Sequence, residues 1–181
     1  MHRLIAVSSI TTLMVVMMLC AQAGWDPTKE QKELEKAQET IAAFKKKDPS
    51  IKTFFDKAYG YVVFPSVAKG GIVVGGAGGR GLVFEGGKVI GEATLAQGTI
   101  GFQFGGQVYS EIIFFKDKAA LETLTSGQME FAAQATAVAA NVGAAANAAY
   151  SKGVAVFTLA KGGLMYEAAI GGQKFSFEPK K

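Results

Sequence analysis

The chain has one cysteine, one histidine, one tryptophan and four prolines in 181 residues. The cysteine and the histidine are Cys20 and His2, both near the N-terminus. A lone cysteine closes no disulfide within the chain. Cys/His metal ligation and thiol or imidazole catalysis therefore find little material. Charge is scarce too: 19% of residues are Asp, Glu, Lys or Arg, against about 25% in an ordinary domain. The net charge of +4 is too small to argue for nucleic acid. No apolar run reaches the ~20 residues of a membrane-spanning helix. Proline is rare while glycine reaches 23, a balance that suits a tightly turned β protein better than a disordered chain. Apolar residues make up 49%, enough for a sizeable core in one domain with appendages.

Residues 1–23 have the build of an export signal. His2 and Arg3 form a short polar start, residues 4–19 an apolar stretch, and Ala21-Gln22-Ala23 an A-x-A cleavage site. Cleavage after Ala23 is the expected processing, and it leaves a chain with neither cysteine nor histidine. Cys20 opens a lipoprotein alternative, against which Leu19, not a small residue, weighs. An uncleaved anchor is the third option.

Residues 24–47 read as an amphipathic helix. Asp26 can cap it and Pro27 suits its first position. Leu34, Ala37, Ile41 and Phe44 recur at steps of three and four and make one narrow stripe. Lys45-Lys46-Lys47 ends it, with positive charge at the negative end of the helix dipole. The stripe fits docking on a sheet. A helix lying on a membrane with Trp25 as its anchor is the alternative, which the glutamates weaken. Asp48-Pro49 repeats the start signal for a shorter helix with Ile51, Phe54, Phe55 and Ala58 on its core face.

Residues 58–84 organise the rest. Two runs rich in Val, Ile, Tyr and Phe flank Pro65-Ser66 and Lys69-Gly70-Gly71. Such runs read as buried strands, with Pro65 at a strand end and the Lys-Gly-Gly as a turn. The glycines from Gly75 to Gly81 mark a sharp bend or close backbone approach. Glu85-Gly86-Gly87-Lys88 predicts a hairpin turn. Ile100, Phe102 and Phe104 alternate with Thr99, Gly101 and Gln103, and Gly105-Gly106 bends that strand before residues 108–115. Asp117 caps a helix through Leu121 and Leu124, closed by Gly127. Residues 129–139 read as a strand despite their alanines, and 143–149 as loop or short helix. Residues 154–160, 164–170 and 174–177 read as further strands.

The order Tyr59-Gly60-Tyr61-Val62-Val63-Phe64-Pro65, Ala68-Lys69-Gly70-Gly71, Gly75 to Gly81, Ile100 to Gln107 and Glu111 to Phe115 resembles the SYLF domain. The likeness covers most of the chain after Ala37 and ends near Ser151-Lys152-Gly153-Val154 and the last strands. The resemblance implies a non-catalytic module that binds membrane lipids, phosphoinositides in its eukaryotic members, some of which also bind actin. Residues 48–181 are the expected lipid-binding domain.

Other motifs weigh less. Gly76-Ala77-Gly78-Gly79-Arg80-Gly81 matches G-x-G-x-x-G, but dinucleotide binding needs a helix to start there, and a strand follows instead. Gly71-x-x-x-Gly75 does not sit in a long apolar helix, so a membrane helix pair is excluded as well. An outer-membrane barrel is disfavoured by strands apolar on both faces and by the two helices. Glu85, Glu92, Glu111 and Glu167 offer carboxylates, but no spacing singles out an acid–base pair; Glu111 and Glu167 lie among strand residues, so partial burial is the alternative to the plain reading of charge on a wet strand face.

The expected fold is α+β: a curved, mostly antiparallel sheet, open or closed into a barrel, covered on one side by the N-terminal helices. The expected function is binding of anionic phospholipid at a membrane surface, in the periplasm, with no cofactor. A structural or interaction module of the cell envelope is the alternative. Val67-Ala68-Lys69-Gly70-Gly71-Ile72 echoes Leu159-Ala160-Lys161-Gly162-Gly163-Leu164; two similar hairpin turns are the plain reading, and Lys69 and Lys161 presented together at one rim the sharper one. Arg80, amid glycines, can meet a phosphate with two parallel hydrogen bonds, or be a surface arginine paired with a nearby carboxylate. Lys152, Lys116 and Lys118 flank other strand ends, and Trp25 is the apolar anchor. Four lysine contacts at roughly 1 kcal/mol each give only millimolar binding, so an apolar contribution is required: Trp25 with its helix, or an acyl chain inside the sheet. Actin is not expected as a partner, because an exported protein would not meet it.

Overall fold

A computed structural model describes residues 27–71, 74–100, 107–132, 136–161 and 168–180. Trp25 and Asp26 therefore lie outside the described residues, as do residues 101–106 with the expected Gly105-Gly106 bend. Contacts divide the chain into two units, Met1–Gln31 and Lys32–Lys181. The sheet and all sites below belong to the second.

Helix α1 spans Pro27–Lys47. Its stripe docks as the spacing predicts: Ala37 and Phe44 are fully buried, with Leu34 and Ile41 packed beside them. The second helical segment is a 3₁₀ turn, Pro49–Ile51, running into α2, Lys52–Lys57. The strands are β1 (Gly60–Gly71), β2 (Val74–Glu85), β3 (Lys88–Ile100) and β4 (Gln107–Phe115). Helix α3 (Lys118–Thr125) follows, its Asp117 cap accepting from the Ala120 N–H at 2.9 Å. Then come β5 (Thr136–Ala139), β6 (Val154–Ala160), β7 (Ala168–Ala169) and β8 (Gln173–Pro179).

Seven strands run in the order β5-β6-β4-β1-β2-β3-β8, with the two-residue β7 beyond β5. All neighbours are antiparallel except β5 and β6. The ladder has two edges, so the sheet is open and not a closed barrel. It is nonetheless strongly curled. Four strand spacings separate β4 from β8, roughly 19 Å on a flat sheet, yet Gln173 on β8 hydrogen-bonds Glu111 on β4 at 3.2 Å. Only a sheet that curls back over itself brings those side chains together.

Curling gives the sheet an inner and an outer face, and both are covered. Outside, Val63, Leu82, Phe84, Ile112, Phe114 and Phe157 pack against α1 and α2 through Phe44, Ile51 and Phe54. Inside, Val62, Phe64, Val83, Leu95, Ile113 and Val156 meet Leu121 and Leu124 of α3, with Phe131 and Ile170. The expected one-sided cover is thus only half of the packing.

Three local expectations are corrected. Lys69-Gly70-Gly71 is not a turn: all three residues belong to β1 and pair with Ala77, Gly76 and Gly75. Pro65 is not at a strand end. It lies mid-strand, where the register slips between Val63 and Ser66 against β2 and between Phe64 and Val67 against β4. A β-bulge tolerates the missing N–H donor. Among the described residues, the expected strand 129–139 reduces to β5 plus a bridge at Glu130 to Lys174. Of the expected strand 164–170, residues 164–167 lie outside the described residues and Ala168–Ala169 is strand. The Gly86-Gly87 turn is as expected, with φ of 55° and 79°, the two positive values of a type I′ hairpin.

Candidate functional site

Strand register places the candidate cations. Lys69 sits opposite Gln107 on β4, and its neighbour Ala68 sits opposite Val108. The Lys161 N–H donates to the Val108 carbonyl at 2.9 Å. Lys69 and Lys161 thus stand at the same end of the sheet, on either side of β4, with backbones about 10 Å apart by strand spacing. Between their strands Val108 is 40% exposed; by strand alternation its side chain shares a face with Lys161, while Lys69, opposite Gln107, is on the other face. Arg80 lies on β2 opposite Ser66 and Thr94 and is exposed. It is three strands from β6 and two residues further along, roughly 16 Å from Lys161.

Lys152 is elsewhere. It occupies the tight turn closed by the Ser151–Val154 bridge, at the opposite end of β6. Its φ of 50° is positive, as is that of Gly153 at 82°, so the pair forms another I′-type turn. The Lys116 N–H donates to the Gly153 carbonyl at 2.9 Å, which brings Lys116 to this end. Lys118 opens α3 and pairs with Glu122 at 3.5 Å. The candidate cations therefore form two groups, Lys69 with Lys161 and Lys152 with Lys116, separated by the length of β6.

A pocket of about 980 Å³ opens beside Lys152. Its walls include the apolar Met129, Phe131, Val154, Val156 and Ile170 and the polar Thr123, Gln128, Glu130, Ser151 and Lys152. Apolar walls with polar groups at the margin suit an amphiphile, and Lys152 offers a cation for an anionic end, with the Glu130 carboxylate, paired to Lys174, also on the lining. No spacing in the sequence signalled this pocket, because its walls come from segments brought together only by the curl.

Glu111 departs from the plain reading of charge on a wet face and goes beyond the partial burial that its strand neighbours suggest: it is fully buried. Parity could have found it: Tyr109, Glu111, Ile113 and Phe115 share one face of β4, and three of the four are core residues. Gln173 Nε2 donates to Glu111 Oε2 at 3.2 Å and to the Tyr109 hydroxyl at 3.3 Å. Burial pushes the Glu111 carboxyl up to about 8, and the Gln173 hydrogen bond offsets only part of that. Burial, then the nearby Glu111 charge, also pushes the Tyr109 hydroxyl up.

Asp48 is more than a helix starter. Its carboxylate accepts from the Ser50 hydroxyl and N–H, and from the Gly143 N–H at 3.1 Å and the Ala145 N–H at 2.7 Å. Burial alone would raise its pKa, but these hydrogen bonds hold it below the ordinary 3.8. It pins the 143–145 turn to the start of the short helix. Among the described residues no group of three His, Cys, Asp or Glu could hold a metal ion. No described helix is long and apolar enough to cross a membrane.

Residues 96–180 match the family model described as "Ysc84: Las17-binding protein actin regulator". The chain is also similar to "Beta cell expansion factor A" of Aeromonas veronii, 32% identical over 130 residues. That alignment covers 70% of this chain and 49% of the relative, so the chain spans about half the length of the curated relative it matches. The family generally consists of non-catalytic binding modules. The match falls on the second half of the stretch that resembles the SYLF domain, and residues 96–180 are a domain of the Ysc84/SYLF family.

Proposed function

We propose that this domain binds anionic phospholipid at a membrane surface, without catalysis, in an exported, periplasmic chain. The observation that carries the reading is one end of the sheet, where Lys69 and Lys161 lie on the strands either side of exposed Val108 and flank that rim from its two faces. A cation near an anionic leaflet contributes about 1 kcal/mol, so the pair contributes about 2 kcal/mol, with a modest apolar addition from Val108. Arg80, on the same sheet, extends the positive surface. Actin, named in the description of the family, is not proposed as a partner, because an exported chain would not meet it.

Co-sedimentation with liposomes tests the proposal. Vesicles containing anionic lipid should bring the protein down, neutral vesicles should not, and added salt should weaken the binding. Lys69→Glu with Lys161→Glu should weaken binding at least tenfold, or about 1.4 kcal/mol, with unchanged circular dichroism. Equal sedimentation with neutral and anionic vesicles would favour a structural or interaction module of the envelope.

A second reading draws on the pocket beside Lys152, in which an acyl chain lies against Met129, Phe131 and Val156 while Lys152 meets the headgroup. On this reading Lys152→Glu, and not the Lys69/Lys161 pair, abolishes binding. The two sets of variants distinguish which end of the sheet meets the lipid.

A further inference from the structure

Glu111 and Gln173 face each other across the inside of the curled sheet. One hydrogen bond is formed, Gln173 Nε2 to Glu111 Oε2. The other oxygen of each group, Glu111 Oε1 and Gln173 Oε1, is buried without a hydrogen-bond partner. Two acceptor oxygens left over on a carboxyl and an amide that already share one hydrogen bond have a simple chemical remedy. A carboxylic acid and a primary amide form a closed ring of two hydrogen bonds, N–H to carbonyl and acid O–H to amide oxygen. An ionised carboxylate cannot close that ring, because it has no proton to donate.

We propose that Glu111 is a carboxylic acid in the folded domain and closes this ring with Gln173, forming an ionisable latch that holds edge strand β8 over central strand β4. The groups around it permit this. Tyr109 from β4 supplies the other titratable group in contact, and its hydroxyl accepts from the same Gln173 nitrogen. Thr158, opposite Glu111 on β6, and Phe64, opposite it on β1, carry no charge. Gln97 on β3 and α3's Leu121 and Leu124 add no charge to this interior. The described residues place no cation beside Glu111 to stabilise a carboxylate. The latch also bears on the pocket: the Phe131 N–H donates to the Gln173 carbonyl at 3.0 Å, and Gly172 and Phe131 are both pocket walls. Losing the proton loosens β8 and that wall together.

The direction with pH follows from linkage. An acid that holds its proton more tightly when folded contributes fully below its unfolded value, near 4.5, and loses that contribution as pH rises through about 8. The test compares the intact protein with Glu111→Gln, which keeps a two-bond amide ring but cannot ionise. Melting temperatures should converge in mild acid and separate as pH rises, the parent falling relative to the variant. Infrared spectra at neutral pH should show the carbonyl stretch of a protonated carboxyl in the parent and lose it in the variant. Should Glu111→Gln not fold, Gln173→Met should leave the protonated carboxyl band in place but shift it, because the ring is broken. Parallel melting curves, or no protonated carboxyl at neutral pH, overturn the latch. None of these readouts involves lipid, so their failure is distinct from failure of the membrane reading.

Discussion

Replacing Gly81 or Gly98 by alanine should move stability in opposite directions. Both glycines lie in strands, β2 and β3, and neither has the positive φ that only glycine tolerates well. They differ in what a methyl group would meet. At Gly81 an added Cβ would overlap the Val63 carbonyl oxygen and lie 2.8 Å from Phe64 Cδ1 and 2.9 Å from the Val63 carbonyl carbon. Val63 and Phe64 are fully buried, at the bulge where β1 slips its register, so backbone and not a flexible side-chain tip must give. Overpacking of this kind costs about 1–3 kcal/mol. At Gly98 nothing lies within 4 Å, and alanine there gains about 0.5–1 kcal/mol by narrowing the unfolded ensemble. The gap of roughly 2–4 kcal/mol corresponds to roughly 5–15 °C in melting temperature for a domain of this size. Thermal unfolding followed by circular dichroism reads it directly. A Gly81→Ala protein that melts at or above the parent would refute the argument that close backbone approach selects glycine in this run.

Asp48→Asn should sensitise the domain and flatten its acid transition. Because the folded carboxyl sits below 3.8, its contribution is present above that pH and is lost as pH falls through the folded value; acid melts of parent and variant should therefore differ above this window and converge below it. Lys152→Gly should be neutral or stabilise by up to about 1 kcal/mol, since glycine accepts the positive φ without strain, whereas Lys152→Val should destabilise; chemical denaturation of the two variants checks the order. Phe157→Ala, which empties the ring cluster with Phe54 and Phe114, should cost about 3–5 kcal/mol, read by the same denaturation.

Legibility in the sequence followed how local each cause was. The α1 stripe, the Asp117 cap and the Gly86-Gly87 hairpin rest on neighbours within a few residues, and each appears where periodicity and turn chemistry put it. Lys69-Gly70-Gly71 misled because glycine looks alike in a turn and in a strand that another backbone must approach. Pro65 misled because a bulge, set by pairing with two other strands, excuses its missing donor. Residues 129–139 are alanine-rich, and neither propensity nor alternation shows that pairing splits between Glu130 with β8 and β5 with β6. The repeated Ala-Lys-Gly-Gly put Lys69 and Lys161 beside strands that flank a third, but its reading as a turn fails at Lys69-Gly70-Gly71, which is strand. Glu111 required the curl: only when β8 closes over β4 does a glutamate in an apolar strand acquire its glutamine partner.

The stretch between Met129 and Ala139 touches both margins of the open sheet. At its start, the Phe131 N–H donates to the Gln173 carbonyl and the Phe175 N–H to the Met129 carbonyl, at 3.0 and 3.2 Å. At its end, β5 pairs with β6 and is itself partnered by Ala168–Ala169. An open sheet ordinarily leaves two rows of unpaired amides on which a second chain can add a strand and begin to aggregate. Here one short segment occupies hydrogen-bonding groups on both rows. A single proteolytic cut or proline within it would uncover two adhesive edges at once, so damage at this point should appear as self-association before it appears as loss of helix or core.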